Sequence, residues 1–285
     1  MKQPNRFFLP CDRWVYFKIY CGELTADRLL MQELHHYIRQ LKIKNLIKSW
    51  FFIRYYDPEH HLRLRLEMQH HEQAYEIIKS LHHTIKDLVA DDFIWKVEIS
   101  SYDREIERYA WLPYDISEKL FHLDSDYYVR ALAYLTSNEN KFLYNIKASL
   151  DFIELFYPTG KDLLNFIKKS EARYKQEFEI TKITQHQLST KYRSMKVLIG
   201  EFIGQGSDGV FKTLREILSL KKDEIKKLLN KLELQGKVSK KFSFVSSHIH
   251  MNTNRTFATN QRLYEMITYD HLYRYYNSLL HKNSK

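Results

Sequence analysis

The sequence predicts an α+β protein in which a mixed, largely antiparallel sheet packs with helices and a large helical segment follows. The first hundred residues contain short runs rich in Val, Ile, Tyr and Phe, and helical patterns separate these runs. From Ile116 to about Arg193, apolar residues recur at helical spacing almost throughout. We therefore expect one domain over residues 1–285, with a mostly helical region at about residues 116–235.

The N-terminal elements follow from alternation and spacing. RWVYFKIY, at residues 13–20, predicts a strand, and the apolar spacing after Gly22 predicts a helix. SWFFIRYY and HLRLRLEM flank the turn residues Asp57 and Pro58, which indicates an antiparallel hairpin. A helix at about residues 73–89 and the strand FIWKVEIS complete a small sheet that is covered by helices on one face.

The C-terminal half is predicted to be mainly helical. The helical pattern breaks at YPTG, residues 157–160, and resumes between Lys212 and Leu234. VSKKFSFVSSHIHM, at residues 238–251, has the composition of a strand. A closing helix is expected over roughly residues 260–280.

Composition excludes several classes of protein. Glycine and proline number 7 and 5 in 285 residues, which argues against disorder and collagen-like repeats. The two cysteines, Cys11 and Cys21, are not in a CxxC pair, so we expect a reducing compartment and no structural zinc. No run approaches the roughly 20 apolar residues of a membrane span, and the N-terminus lacks the apolar stretch of a signal peptide. These features predict a cytoplasmic protein.

The net charge of +10 favours an anionic partner, which could be nucleic acid, a membrane surface or a peptide that carries carboxylates. The basic residues are spread along the chain and form only short runs, which are typical of solvated helix faces. We therefore do not expect a dedicated nucleic-acid-binding protein.

Two arginines alternate with leucines in the predicted second strand of the hairpin. Because strand side chains alternate, Arg63 and Arg65 would share one face about 6.6 Å apart while the leucines face the core. Two guanidinium groups at this spacing could hold one or two carboxylates through forked hydrogen bonds. The alternative is a half-buried strand whose arginines are solvated.

A second group of charged residues, YDREIERY, follows the next predicted strand. If a helix starts there, Glu105 and Arg108 lie one turn apart and could pair, or Glu105 could orient another arginine. The alternative is an ordinary surface ion pair, which contributes little to stability.

A third group contains His248 and His250, which would point the same way on a strand, where a histidine could give or take a proton. Adjacent histidine pairs elsewhere lack recurring acidic or cysteine ligands, so no metal site is expected. GQGSDG, at residues 204–209, matches GxGxxG literally but lacks a βαβ context, so we interpret it as a turn and expect no dinucleotide cofactor.

Five segments in order, RWVYFKIY, WFFIRYYDPEHHLRLRL, YDREIERY, EKLFHLDSD and HMNTNR, resemble the C-terminal elimination domain of class I lantibiotic dehydratases. This domain is also called the thiopeptide-type bacteriocin biosynthesis domain. The resemblance covers nearly the whole chain. It implies that glutamate is eliminated from glutamylated serine or threonine of a precursor peptide, which leaves dehydroalanine or dehydrobutyrine.

The resemblance also implies roles for five residues and a set of partners. Arg63, Arg65 and Arg108 would bind the glutamyl carboxylates and developing charge, Glu105 would orient them, and His250 would transfer a proton.

The large glutamylating domain of the family is absent from this sequence. We therefore expect a stand-alone form that works with a separate glutamylating subunit, which uses glutamyl-tRNA, and with the precursor peptide; a cyclase is a further conceivable partner. No cofactor is expected. Ala110 and Trp111 stand where the family usually has glycines. The loop after the motif is therefore expected to differ in shape, which affects how the substrate fits.

Two other functions fit the same resemblance. Stand-alone relatives in thiopeptide pathways join two dehydroalanines into a pyridine-type ring and release the leader peptide, but they tend not to keep the arginine and histidine set. A non-catalytic subunit that holds the precursor peptide would be served equally well by aromatic and basic residues.

Overall fold

The computed structural model describes residues 5–204, 209–232 and 238–283, which fall into two compact units, Met1–Ala133 and Tyr134–Lys285. Unit 1 contains antiparallel sheets and helices, and the described part of unit 2 is helical. The predicted α+β class, with its large helical segment, is confirmed. That residues 1–285 act as a single domain stays a prediction, because it concerns how the two units combine.

The elements of unit 1 follow the predicted order closely. They are β1 (Phe7–Phe8), β2 (Trp14–Cys21), α1 (Glu23–Leu29), α2 (His35–Ile43), β3 (Ile47–Tyr56), β4 (His60–Met68), α3 (Ala74–Ala90), β5 (Ile94–Ile99), β6 (Tyr102–Asp103) and α4 (Tyr114–Leu132). A π-helical turn at Leu30–Leu34 joins α1 to α2, and a 3₁₀ turn at Ile106–Tyr109 precedes α4. The short strands β1 and β6 were not expected from the sequence.

The main sheet of unit 1 has the strand order β3-β4-β2-β5, and each neighbouring pair is antiparallel. The β3–β4 pair is the predicted hairpin. In the register of β2 and β4, Lys18 lies opposite Arg63 and Tyr16 lies opposite Arg65. Strands β1 and β6 form a separate two-stranded sheet.

The side chains of β4 alternate between the two faces of the sheet. Its three leucines, Leu62, Leu64 and Leu66, are fully buried and form part of the core. Helix α1 packs against β4, α2 against β3 and α3 against β5. Arg63 and Arg65 occupy the opposite face, as the alternating pattern predicted.

The outer edge of β3 is closed by α4. The amide of Phe52 donates a hydrogen bond to the Ser125 hydroxyl at 3.2 Å, and the imidazole Nδ1 of His122 lies 2.9 Å from the Trp50 carbonyl oxygen. Side chains of a helix thus take the place of a further strand, so this edge does not expose unpaired backbone groups at these positions.

Unit 2 consists of helices in its described part. They are α5 (Asn138–Phe156), α6 (Gly160–Glu177), α7 (Lys182–Ile203), α8 (Val210–Asn230), α9 (Val238–Thr256) and α10 (Gln261–Asn283). The predicted break at residues 157–160 separates α5 from α6, and Thr159 caps α6 by accepting a hydrogen bond from the Asp162 amide. Of the GQGSDG segment, residues 205–208 lie outside the described residues.

The predicted strand at residues 238–251 is wrong, because this segment belongs to α9. Its aromatic and β-branched residues have the composition of a strand, but its buried positions recur three or four residues apart. Val245, Ile249, Asn252 and Thr256 are buried along one side of the helix. Helix α9 packs against α5 and α10, and this tertiary packing outweighs local propensity.

The described residues include neither a membrane-spanning helix nor a cluster of metal-binding side chains. None of the described helices is both long and apolar enough to cross a membrane. Among the same residues, no group of three or more His, Cys, Asp and Glu side chains is arranged to hold a metal ion.

Candidate functional site

Arg65 is a nearly buried cation that is enclosed by aromatic rings. Its guanidinium carbon lies 4.2 Å from the ring centre of Tyr16, 4.8 Å from that of Tyr102 and 5.3 Å from that of Phe51. In the strand register, Arg65 lies opposite Tyr16 of β2 and opposite Phe51 of β3. Tyr102 belongs to β6. The side chain is only 7% exposed. Local strand pairing and the short sheet together create this cage.

Arg65 has no carboxylate partner in the described part of the chain, and its buried Nε atom has no hydrogen-bond partner there. Burial raises the pKa of Tyr102 well above its usual value, so this phenol is neutral and does not balance the charge. A buried cation is costly when it is unpaired. An anionic ligand would supply the missing partner.

Arg63 is held by two neighbours on the same face. Its Nε donates to Nε2 of His61 at 3.1 Å, and its guanidinium carbon lies 3.3 Å from the ring centre of Tyr55. The Nδ1 atom of His61 contacts the Glu59 carbonyl oxygen at 2.8 Å. Burial lowers the pKa of His61, and the positive charge of Arg63 lowers it further. His61 is therefore neutral, with Nδ1 as donor and Nε2 as acceptor.

Arg63, like Arg65, has no carboxylate partner among the described residues. Lys18, on the neighbouring strand, is 3.9 Å from Glu98. The structure therefore brings the two predicted arginines together on one face, and their charges are not balanced by acidic side chains there. Such a pair can bind a dicarboxylate or two separate carboxylates.

Glu105 and Arg108 form the predicted pair, with Nη1 of Arg108 at 2.9 Å from Oε2 of Glu105. Their side chains are 63% and 36% exposed, so the pair is accessible to solvent. The neighbouring Arg104 is buried and donates to both carboxylate oxygens of Glu118 on α4. Arg104 thus fixes the segment that carries Glu105 and Arg108.

His250 belongs to unit 2, on α9. Its Nδ1 lies 2.5 Å from Oε1 of Glu265, which is fully buried on α10. The imidazole is 24% exposed. With Nδ1 donating to the carboxylate, Nε2 carries the lone pair, and it has no hydrogen-bond partner in the described part of the chain. A buried carboxylate thus fixes the orientation of this imidazole.

Further contacts hold the Glu265 side chain in place. The Tyr174 hydroxyl donates to Oε2 of Glu265, and Nη1 of Arg262 donates to the same hydroxyl at 2.6 Å. Burial and then the charge of Glu265 raise the pKa of Tyr174, so its hydroxyl stays protonated and remains a donor. Arg262 also lies 3.6 Å from Glu265.

The expectation that His248 and His250 point the same way is wrong. Residues two apart on a helix lie on nearly opposite sides, whereas on a strand they share a face. His248 is buried, with its ring centre 4.5 Å from that of Phe244 and 5.4 Å from that of Phe152. His250 is the more exposed of the two, which removes the ambiguity between them.

A known protein family matches most of this chain. The model of the C-terminal part of lantibiotic biosynthesis dehydratases matches residues 14–276. The chain belongs to this family. The resemblance that was inferred from five short segments is therefore confirmed.

Curated relatives of this lantibiotic dehydratase C-terminal domain are much longer proteins. This chain is 26% identical over 266 residues to the subtilin biosynthesis protein SpaB of Bacillus subtilis, and the match covers 91% of this chain and 25% of SpaB. It is 27% identical over 270 residues to the nisin biosynthesis protein NisB of Lactococcus lactis subsp. lactis, covering 92% and 25%. The chain thus spans about a quarter of the length of these relatives.

Solved structures show the same fold. The tRNA-dependent lantibiotic dehydratase MibB from Microbispora sp. 107891 matches with a TM-score of 0.77 at 15% identity, covering 100% of this chain and 29% of MibB. The pyridine synthase TbtD from thiomuracin biosynthesis matches with a TM-score of 0.62 at 11% identity, covering 94% of this chain and 100% of TbtD. At these identities the likeness concerns the fold alone.

Sequence reasoning about this dehydratase domain missed the residues that position its candidate groups. His61 could have been found, because it lies two residues before Arg63 on the same strand face. Glu265 could not, because its contact with His250 depends on how α9 and α10 pack. Tyr16 and Tyr102 were two among 21 tyrosines, and nothing in the sequence distinguished them.

Proposed function

We propose that this chain eliminates glutamate from O-glutamylated serine or threonine of a ribosomally made precursor peptide, giving dehydroalanine or dehydrobutyrine. Membership of the lantibiotic dehydratase family supports a role in this pathway. The observation that carries the proposal is Arg65, a nearly buried cation without a carboxylate partner in the described part of the chain, next to Arg63 on one face.

The proposed reaction needs cationic donors for two developing negative charges. A base removes the Cα proton of the glutamylated residue, and negative charge develops on the adjacent peptide carbonyl. The Cβ–O bond then breaks, and glutamate leaves with the bonding electrons as a carboxylate. Donors that are already in place stabilise such charge, and the loss of one typically costs a factor of about 10²–10³ in rate.

The roles in unit 1 are assigned to its arginines. Arg63 and Arg65 bind glutamyl carboxylate oxygens and the developing charge through forked hydrogen bonds. Arg108 contributes a third guanidinium, and Glu105 orients it through the contact at 2.9 Å. Because the Glu105–Arg108 pair is solvent-exposed, it contributes little to stability, which is consistent with a role in ligand binding.

The role in unit 2 is assigned to His250. Its Nε2 lone pair accepts the Cα proton, and Glu265 stabilises the resulting imidazolium through Nδ1. General-base catalysis of this kind typically contributes about 10²–10⁴ in rate. Glu265 acts on the imidazole and does not touch the substrate, so it is a positioning residue.

The proposed partners follow from the substrate. A glutamylated peptide must be supplied by a glutamylating activity that uses glutamyl-tRNA, and the precursor peptide links the two steps. A cyclase that acts on the dehydrated residues is a further conceivable partner. We also propose that the reaction takes place in the cytoplasm, where glutamyl-tRNA is found.

The proposal can be tested with a synthetic peptide that carries a glutamyl ester on serine. Wild-type protein should convert it to the dehydroalanine peptide, one water lighter than the free-serine peptide, whereas simple hydrolysis of the ester would return free serine. The variants Arg65→Ala and His250→Ala should leave the ester intact. An unchanged ester with the wild-type protein, despite measurable peptide binding, would disprove the proposed elimination.

The cyclase function gives a different result with other substrates. A peptide that already contains two dehydroalanines would form a six-membered nitrogen ring and lose its leader segment, and the glutamyl ester would be untouched. A non-catalytic subunit would bind the peptide equally well with Ala at position 250. Mass spectrometry of both peptides with one protein preparation therefore separates the three functions.

A further inference from the structure

An apolar groove of about 470 Å³ lies in unit 1 between α3 and β5. On β5, Trp95, Val97 and Ile99 are 48%, 38% and 42% exposed. All three line the groove, together with Leu81 and Ile85 of α3. Val97 and Ile99 lie two residues apart on the strand and share one face of the sheet, and Trp95 lies where the register between β2 and β5 shifts. A row of exposed apolar side chains beside a helix marks a binding surface.

Strand β5 is the outer strand of the sheet, since its pairing in the described part of the chain is with β2 alone. The opposite edge of the same sheet, at β3, is covered by α4 through the Ser125 and His122 side chains. The edge at β5 has no such cover among the described residues. An uncovered edge strand can pair with a further strand.

The register of β5 shows which backbone groups face outwards. The Ser100 amide donates to the Tyr16 carbonyl at 3.0 Å, and the register pairs Glu98 with Lys18 and Ile99 with Phe17. Hydrogen-bonded and non-hydrogen-bonded pairs alternate in antiparallel sheets. Glu98 therefore bonds to β2, whereas the amides and carbonyls of residues 97 and 99 point away from it.

The charge of the groove selects the type of partner. The lining includes His82, Lys86 and Lys96 and no acidic residue, and Lys96 is already paired with Glu98 at 2.6 Å. Lys86 is exposed and has no ion-pair partner in the described part of unit 1. A peptide with carboxylates beside its apolar residues would complement this surface.

We infer that the α3–β5 groove binds an extended acidic peptide, which adds to β5 as a fifth strand of the main sheet. Its backbone pairs with the outward amides and carbonyls of Val97 and Ile99. Its apolar side chains, two residues apart, enter the groove beside Trp95, and its carboxylates approach Lys86. Main-chain pairing supplies affinity in this mode, and the groove supplies selectivity. The inference concerns binding alone and does not depend on the elimination reaction.

The test uses a fluorescein-labelled synthetic heptapeptide, Asp-Val-Glu-Leu-Asp-Val-Glu, and fluorescence anisotropy with the full chain. Val97→Pro removes one outward amide, and the ladder to β2 survives because this amide does not bond to β2. Val97→Thr is the matched control. We expect Val97→Pro to weaken binding at least tenfold and Val97→Thr to weaken it less than threefold. Lys86→Glu should also weaken binding.

A second probe keeps the test independent of variant folding. Two versions of the same heptapeptide carry N-methyl groups on one or the other set of alternate amides. The version whose methyl groups block the amides that pair with β5 should lose affinity for wild-type protein, and the other version should keep it. A lysine-containing analogue should bind more weakly than the acidic peptide. Equal binding of all probes, or no binding of the acidic peptide at about 1 mM, would overturn the inference. So would a dimer in sedimentation equilibrium that dissociates in Val97→Pro, because a second copy would then occupy the edge.

Discussion

His61 accepts a hydrogen bond through Nε2 from Nε of Arg63, at a distance of 3.1 Å. The contact requires a neutral imidazole, and burial provides it by lowering the pKa of His61. The ring of Tyr55 thus contacts the face of the Arg63 guanidinium, and His61 holds its Nε atom. Two residues that sequence reasoning passed over therefore determine where this cation points.

We expect His61→Ala to lower kcat/KM for the glutamyl ester peptide about tenfold, because one hydrogen bond of about 1–1.5 kcal/mol that positions Arg63 is lost. His61→Gln offers an amide oxygen in a similar place and should recover most of the activity. Steady-state kinetics on the two variants makes the comparison. If both variants were equally impaired, packing of the ring would be the cause and the positioning role would be refuted.

Arg65 should be important for activity and dispensable for stability. Arg65→Met removes an unpaired buried cation and keeps a side chain of similar length, so the free energy of unfolding should fall by no more than about 1 kcal/mol. Elimination should fall by a factor of about 10²–10³. Arg65→Lys should also be poorly active, because an ammonium group cannot form the forked contact.

Urea unfolding and the mass assay should be performed on the same preparations of these Arg65 variants. A large loss of stability in Arg65→Met would mean that the cation is a structural element of the aromatic cage. That result would remove the main support for carboxylate binding at this position.

Glu265→Gln should lower the rate of elimination, because the imidazolium that forms on His250 during proton transfer loses its anionic neighbour. Glu265→Asp keeps the charge and should recover part of the rate. Tyr174→Phe is the control, since it removes a hydroxyl that donates to Glu265 and leaves the carboxylate in contact with His250.

A purely structural Glu265 would give another pattern. Both Glu265 variants would then lose activity in proportion to their loss of folded protein. Circular dichroism on the kinetic samples distinguishes the two cases.

Stability should decrease on acidification because three histidines are held neutral in the folded state. Burial lowers the pKa of His61, His122 and His271 below the usual value near 6.5. The unfolded chain therefore takes up these protons first, and the free energy of unfolding falls as the pH decreases from about 6.5 through the lower folded-state values. Above about pH 6.5 this contribution is fully present.

His122→Asn tests one of these sites. Its amide nitrogen can still donate to the Trp50 carbonyl, but it does not titrate, so the decrease in Tm between pH 7 and pH 5 should be smaller than in wild type. A His122→Asn profile parallel to that of wild type would show that this site does not contribute.

The order of strands and helices in unit 1 could be predicted because alternation and helical spacing are local signals. HLRLRL alone placed the leucines on one face and Arg63 and Arg65 on the other. The error at residues 238–251 has a physical reason, since aromatic and β-branched residues suit both a strand and a well-packed helix. Packing of α9 against α5 and α10 decided between them, and no local pattern reports it.

The sequence by itself determined the family, the α+β class and the placement of Arg63 and Arg65 on one face of a strand. Ordered motifs and a two-residue period are properties of the chain. The tertiary structure alone decided that aromatic rings enclose Arg65, that Glu265 contacts His250, and that none of the described residues covers the outer edge of β5. These features join residues far apart in the chain. Their contacts depend on packing between elements, which a linear pattern does not encode.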